Sequence, residues 1–512
     1  MEAVPFWEQP LLVSICVMKL KLIGALLVAA LPVWGQQQAR VDYRVEAVAL
    51  AGDGEYAPLW FTANRYGTVG VAQKQASLRA GVFYQQELKR HWKVDAGVEL
   101  LGGKNLVSNF WVHQAYADVA WKKLNLSIGS KERSGFPLEK NERLTSGWMV
   151  EGPNARPIPQ VRMEVKDFWA IPGTKNWLAF KGHLAFGWFM DSNWQEDFVQ
   201  PVNKFTKGAL YQSKSLMFRL GNREKLPLEL EFGILMGTQF GGEQYRMNAD
   251  GRTELLVDMP DGMKAYWKAF FPQGGGSDNP LKGEQTNIEG NVLGSWNFAL
   301  NWYLGEWKFR SYYEHYFEDH SQMFLEYGCW TDGQLGLEVN LPKNRWLSAV
   351  VWEGMCTKHQ SGPFEAYSEY WPGEDFLLSG GDNYYNHGIY QAWQHYGLGL
   401  GNPLLPGPLY NEDGSIRFKS NRVRSNHVGL TGDPSEEWNW RVLASFARHW
   451  GTYSAPLDKQ RKQFSGLAEV TYLPKWAKGW SASLALGLDR GNYLGNHTGG
   501  MLTLRKTGGF KL

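Results

Sequence analysis

Cysteine is scarce: the 512 residues hold three, and only Cys329 and Cys356 lie beyond a leader-like N-terminal stretch. Two thiols cannot staple a disulfide-dense scaffold. Surplus charge is also missing. The formal balance of +2 gives no basic footprint for a nucleic-acid partner. Beyond residue 35 no apolar run approaches the ~20 residues that a helical membrane span needs. That excludes a helical membrane protein but leaves a β-barrel open. Catalytic signatures are absent too, with no Gly-x-Ser-x-Gly elbow, no His-Glu-x-x-His helix, no phosphate loop and no cysteine pair at zinc spacing. The tightest metal-like run spans His315 to His320. On a strand its His315 and Glu318 point to opposite faces, so no metal or other cofactor is expected. Glu139 with Glu142 could serve as glycosidase carboxylates, but nothing fixes their separation. The expectation is a non-enzymatic protein.

Aromatic residues are abundant at 14%, with 25 Trp, 23 Tyr and 26 Phe. Such residues form girdles at membrane interfaces. Strand periodicity is clearest from Glu436 to Leu512. Trp438, Trp440, Val442, Ala444 and Phe446 alternate with Asn439, Arg441 and Ser445, and Trp480 to Leu488 repeats the pattern. Runs of about ten alternating residues are the signature of a transmembrane barrel. Comparable strands recur from Ala76 onward, including Ala76–Leu88, Leu124–Lys131, Lys207–Leu220, Asn287–Leu304, Gln334–Leu341 and Arg345–Trp352. Short connections such as Lys122-Lys123 and Gly305 alternate with long ones such as Glu132–Pro157, Gly241–Thr286, Glu353–Asn421 and Gly451–Arg461. That alternation is how such barrels are built, with the long loops outside.

Seventeen strands, roughly counted, would leave the first and last running parallel, whereas single-chain barrels are even and antiparallel. An eighteenth strand is therefore expected in Val41–Leu50 or in part of Leu59–Val71. The fold class is all-β, a transmembrane antiparallel barrel of about 18 strands with short helical and loop segments as a plug. Leu255–Phe271 has apolar residues at helical spacing. It and the aromatic-rich stretch Glu353–Asn421 are expected to fold over or into the lumen. Residues 1–35 read as a secretory signal with Lys19 and Lys21 before an apolar Leu22–Leu31. Either Met18 is the true start or the leader begins at Leu11 and includes Cys16. Residues 36–75 would hold plug and first strand, and 76–512 the barrel, with long loops 132–157, 241–286 and 353–421. A turn symmetric about Pro342 and Lys343 would set Cys329 opposite Cys356 for a disulfide, and a one-residue slip would leave two free thiols.

Several short motifs, in order, resemble the capsule assembly proteins called Wzi, in particular Bacteroides-type members. They are Leu59-Trp60-Phe61-Thr62-Ala63-Asn64-Arg65-Tyr66-Gly67, Gly129-Ser130-Lys131-Glu132-Arg133 followed by Asn154-Ala155-Arg156-Pro157, Gly294-Ser295-Trp296-Asn297-Phe298, and Asn386-His387-Gly388-Ile389-Tyr390 before Gly401-Asn402-Pro403-Leu404. The resemblance covers nearly the whole mature chain. A Trp pair often found after the glycine–lysine strand end is replaced by Ser134-Gly135-Phe136, which puts the ligand in doubt. The resemblance implies a barrel in a Gram-negative outer membrane that holds capsular or other surface polysaccharide in a lectin-like way. The expected partners are that polysaccharide and outer-membrane lipid, for a monomeric barrel. Tyr384, Tyr385, Trp393 and His395 are the candidates for contact with sugar, since aromatic faces stack on pyranose rings. Lys131, Arg133, Asn154 and Arg156 form a candidate luminal polar cluster. Its structural reading, a network holding a loop in the lumen, ranks above sugar contact. A porin or oligosaccharide channel is the alternative function.

Overall fold

Side chains on alternate residues of these strands meet opposite environments, and the apolar ones are on the outside. On the strand Trp480–Gly491, Leu484 and Leu486 are 58% and 62% exposed, while Ala485 and Asp489 between and beyond them are buried. A soluble protein would reverse this order; a barrel in lipid requires it. The computed structural model describes residues 39–274, 276, 279–280, 288–318, 323, 331–360, 364–365, 377–378 and 382–512. Eighteen strands form one sheet. In chain order they are β1 (Ala39–Tyr56), β2 (Ala72–Glu87), β3 (Trp92–Lys104), β4 (Phe110–Trp121), β5 (Leu124–Ser130), β6 (Gln160–Ala170), β7 (Leu178–Trp188), β8 (Leu210–Leu220) and β9 (Leu228–Phe240). Then follow β10 (Asn291–Leu304), β11 (Trp307–Glu318), β12 (Gly333–Asn340), β13 (Ala349–Cys356), β14 (Val423–Gly432), β15 (Trp438–Gly451), β16 (Pro456–Tyr472), β17 (Trp480–Gly491) and β18 (His497–Lys511).

Each strand pairs antiparallel with its sequence neighbours. β1 closes the ring on β18, from Arg40 opposite Lys511 to Asp53 opposite Thr498. Val41–Leu50 thus supplies the missing strand, and Leu59–Val71 does not. Leu59–Thr62 is instead a buried helical turn, α1, inside the barrel, and Ser192–Phe198 forms a second helix, α2. Tight turns mark one end. Gly305 takes φ +58° between β10 and β11, a conformation that glycine adopts without penalty. Trp92, Trp121, Trp302, Trp307, Trp438 and Trp480 lie exposed beside these turns as an aromatic girdle. The long connections leave from the opposite end. Gly451–Arg461 is not one of them, because β15 and β16 continue to within four residues, 452–455.

Two sequence readings shift in register. Lys207–Leu220 breaks at Gly208, and Lys204–Lys207 joins a separate three-stranded sheet with Gly242–Met247 and Thr253–Met259. The β12–β13 hairpin turns later than Pro342-Lys343. Asn344 Oδ1 accepts the N–H groups of Trp346 (2.9 Å) and Leu347 (2.8 Å), which moves the reversal along the chain. Cys356 therefore faces Gly333, not the position expected for Cys329, and carries a free thiol. Cys329 and the signal segment 1–35 lie outside the described residues.

The main apolar cluster sits inside the barrel. It joins Leu59, Trp60 and Phe61 of α1 to Leu144, Met149 and Val150 of the 131–159 connection. Tyr385, Trp393, Leu400 and Phe418 of the 357–422 connection complete it. Inward-facing glycines make room on the wall. A β-carbon at Gly237 would stand 2.8 Å from the Trp393 ring, and one at Gly487 would stand 2.9 Å from the Phe61 ring.

The 131–159 connection leaves β5 and crosses the lumen to the far wall. Lys140 Nζ forms an ion pair with Glu314 of β11 (2.8 Å), with both side chains essentially unexposed, and donates to Gly147 O (2.9 Å). Thr145 Oγ1 and the Ser146 N–H donate to Glu353 of β13, each at 2.6 Å. His427 of β14 bonds Leu144 O at 2.7 Å. Removing one partner of a buried pair leaves an uncompensated charge. Lys140→Met is expected to destabilise the protein by about 3–5 kcal/mol, whereas Lys140→Met with Glu314→Gln recovers most of the loss. Denaturant unfolding in detergent micelles measures both.

Candidate functional site

The four residues expected to form a luminal cluster each tie a connection down. Lys131 pairs with Asp118. Arg133 Nη2 donates to Ser127 Oγ (3.2 Å), and its carbonyl accepts the Tyr66 hydroxyl (2.7 Å). Asn154 Nδ2 donates to Gly399 O (2.8 Å), while its Oδ1 accepts the Asn64 N–H (3.2 Å). The Arg156 guanidinium lies between the Trp111 and Tyr396 rings, 3.8 and 4.1 Å from their centroids, and donates to Ser108 Oγ (3.1 Å). Burial lowers Arg156 to about 10, still protonated at neutral pH. The two motifs carrying Asn64 and Asn154 thus pack on one another. A β-carbon at Gly67 would meet Arg156 Cγ at 2.7 Å.

The aromatic candidates are also interior. Tyr384, Tyr385, Trp393 and His395 are each 1% exposed or less. Tyr384 Oη donates to Asp332 (3.0 Å), Tyr385 Oη to Met149 O, and Trp393 Nε1 to Val150 O (2.8 Å). His395 Nε2 accepts the Met190 N–H (3.2 Å), so Nδ1 carries the proton shared with Arg156 O (3.0 Å). With their faces packed, none of the four has a ring left to stack on a sugar. They are the body of the plug.

The plug leaves cavities open, two of them at opposite ends of the barrel. One of about 420 Å³ opens toward the tight-turn end between Lys131, Arg133, Arg156, Arg162 and Lys181. Several of its charges are paired, as in Arg162–Glu164 along β6 (2.6 Å) and Lys181 of β7 with Glu139 of the 131–159 connection (2.7 Å). The other, of about 600 Å³, opens at the long-loop end. Asp382, Asn383, Asn386, His387, Gln391, Asp413, Arg417, Lys419, Thr452 and Ser454 line it. Arg417 is exposed, and Lys419 pairs with Asp413 at 3.1 Å. Burial alone would raise the Asp413 carboxyl. The Ser415 hydroxyl and N–H and the Lys419 ammonium hold it below its ordinary value, so it is ionised. Amides, hydroxyls and both signs of charge give donors and acceptors in one concavity. Asn386 and His387 are immediate neighbours of the buried Tyr384-Tyr385 pair. In sequence, the signal was the same loop read on its other side chains.

One trio among the described residues has metal-ligand spacing, Glu99, His113 and Glu132. Arg44 contacts Glu99 (2.7 Å) and Glu132 (3.2 Å), and Arg79 contacts Glu132 (2.9 Å) and Glu46 (2.8 Å). Two guanidiniums already neutralise these carboxylates. The trio is part of an ion-pair network beside the β1–β18 seam, not a metal cage.

Fold and plugged lumen define the chain as an eighteen-stranded transmembrane β-barrel. No family model matches the sequence, and no curated protein matches it. Among solved structures it is similar to Wzi of Escherichia coli, described as a carbohydrate-binding β-barrel involved in group 1 capsule assembly. Identity is 14% over 90% of this chain and 83% of that one, at a TM-score of 0.53. OccAB4 of Acinetobacter baumannii matches at 9% identity, covering 93% and 99% of the two chains, with a TM-score of 0.45. OpdK of Pseudomonas aeruginosa matches at 10% identity over 92% and 99%, with a TM-score of 0.46.

Two plug histidines are held below their ordinary 6.5. Burial lowers His387 to about 4, and burial lowers His395 against the opposing Asp191 carboxylate and Arg156 carbonyl. A histidine neutral in the fold but free to protonate when unfolded gives its full stabilisation above pH 6.5. That stabilisation is lost as pH falls from there toward the depressed value. Thermal unfolding in detergent is expected at lower temperature at pH 5 than at pH 8. His395→Gln keeps a donor and an acceptor without titrating, and should flatten part of that acid limb.

Proposed function

We propose that this protein is a non-enzymatic outer-membrane barrel of a Gram-negative bacterium, distantly related to Wzi, that binds capsular or other surface polysaccharide and attaches or organises it at the cell surface. The observation that carries the reading is the polar cavity of about 600 Å³ at the long-loop end, floored by a packed plug. In barrels of this kind the long loops face outward, so the cavity would meet a glycan outside the cell. Arg417 and Lys419 would engage acidic groups, and Asp413, Asn383, Asn386 and Gln391 hydroxyls. The carbohydrate binding named for Wzi is consistent with this use of a shared fold.

Arg417 is exposed and Lys419 partly exposed, so their replacement spares the core. Arg417→Ala with Lys419→Ala should weaken binding of purified surface polysaccharide by about tenfold or more, the loss of one or two charge-assisted hydrogen bonds. Calorimetry in detergent reads this, with circular dichroism confirming an intact barrel. Unchanged affinity in a folded double variant would remove the cavity as the site. The plug also predicts little single-channel conductance in a planar bilayer. Conductance typical of an open lumen would favour the alternative, a porin or oligosaccharide channel.

A further inference from the structure

Leu255–Phe271 is expected over or inside the lumen, yet its helical part lies on the outer wall. Its helix α3 spans Met263–Phe270. The preceding Thr253–Met259 is a strand, because Leu255, Val257 and Met259 repeat at period two before Pro260-Asp261-Gly262 starts the helix. Tyr266 of α3 packs on Phe186 of β7 and Phe240 of β9, with centroids 5.4 and 5.1 Å apart. Gln239 bonds the plug at Ala392 O, so Phe240 beside it points out of the barrel. Ser213 bonds the plug residue Glu151, so Lys214 also points out. A lysine on the lipid face of a strand is costly unless covered. Lys214 Nζ donates to Ala269 O (3.0 Å) and Phe270 O (2.7 Å), the open carbonyls at the end of α3.

The face of α3 turned from the wall carries three open apolar side chains beside the exposed Lys264. Met263, Trp267 and Phe271 recur every fourth residue, at 84%, 61% and 48% exposure. Leu216, two residues from Lys214 on the same face of β8, is exposed and belongs to the apolar belt of the wall. The face therefore continues an interface that the barrel already makes with lipid. We propose that α3 is an interfacial anchor whose Met263, Trp267 and Phe271 insert among the acyl chains of the leaflet on the long-loop side. A short amphipathic helix lying in the plane of the interface binds in this way. Lys214 holds it there as a positioning residue.

Spin labels test the proposal in vesicles, on the full chain with its native cysteines replaced by serine. Met263→Cys is the probe, Leu486→Cys in the belt the lipid reference and Asp250→Cys in an exposed turn the water reference. Heat-modifiable migration checks folding, and Phe271→Cys substitutes if the first probe fails that check. The expected result is a label relaxed more by oxygen than by a water-soluble nickel complex, as at Leu486. Relaxation like that at Asp250 would overturn the anchor. Dipolar broadening in lipid-dilute vesicles would assign the face to a second copy and overturn it equally.

Discussion

Everything in this molecule follows from the closure of its sheet. Hydrocarbon offers no partner to a free N–H or C=O, so a strand edge cannot remain within it. The pairing of β1 with β18 removes the last two edges, and the ion-pair network of Arg44, Glu46, Arg79, Glu99 and Arg505 spans that seam from within. Closure at eighteen strands sets the width. Side chains alone fill a barrel of about eight strands, and one this wide stands open to water unless something occupies it. The occupant comes from the connections themselves. Apolar side chains inside what would otherwise be an aqueous channel then become sensible, because the plug is the true hydrophobic core.

Filling a polar lumen with chain creates a second demand. Each inward carboxylate, amide and imidazole must find a partner once water is displaced. Glu314, Glu353 and His427 find theirs on the crossing segment, Asp489 on the Leu59 N–H, and Glu469 on Arg65 and Arg441. Plug and wall fit as one polar network around an apolar centre. Two concavities remain at the mouths, where water can satisfy what protein does not.

The sequence was legible where physics is local. Alternation at period two marked most strands, and loop lengths with strand parity called for an N-terminal strand in Val41–Leu50 or in part of Leu59–Val71, of which the first forms it. The last three strands carry the faces expected of them, with Arg441 and Glu469 paired inside and Leu484 and Leu486 outside. Long-range matters were not legible. The partners of Lys140 and Thr145 lie roughly 170 to 210 residues away, and no spacing announces them. Aromatic richness in Tyr384 to Tyr396 reads equally as a sugar platform or as packing, and the buried rings decide for packing. The hairpin after β12 slipped because Asn344 builds a longer turn than Pro342-Lys343 suggested. Helical spacing near Tyr266 identified α3 but placed it over or inside the lumen, whereas Tyr266 packs on Phe186 and Phe240 of the outer wall.

The crossing segment also fixes the order of events in time. It leaves β5, yet its anchors sit on β11, β13 and β14, which are made much later in synthesis. Contacts between residues so far apart in sequence form slowly and last. Until the C-terminal half has joined the wall, the first half of the chain has nothing to close its lumen against. The crossing segment can therefore make its buried pairs only once β11, β13 and β14 stand in the wall.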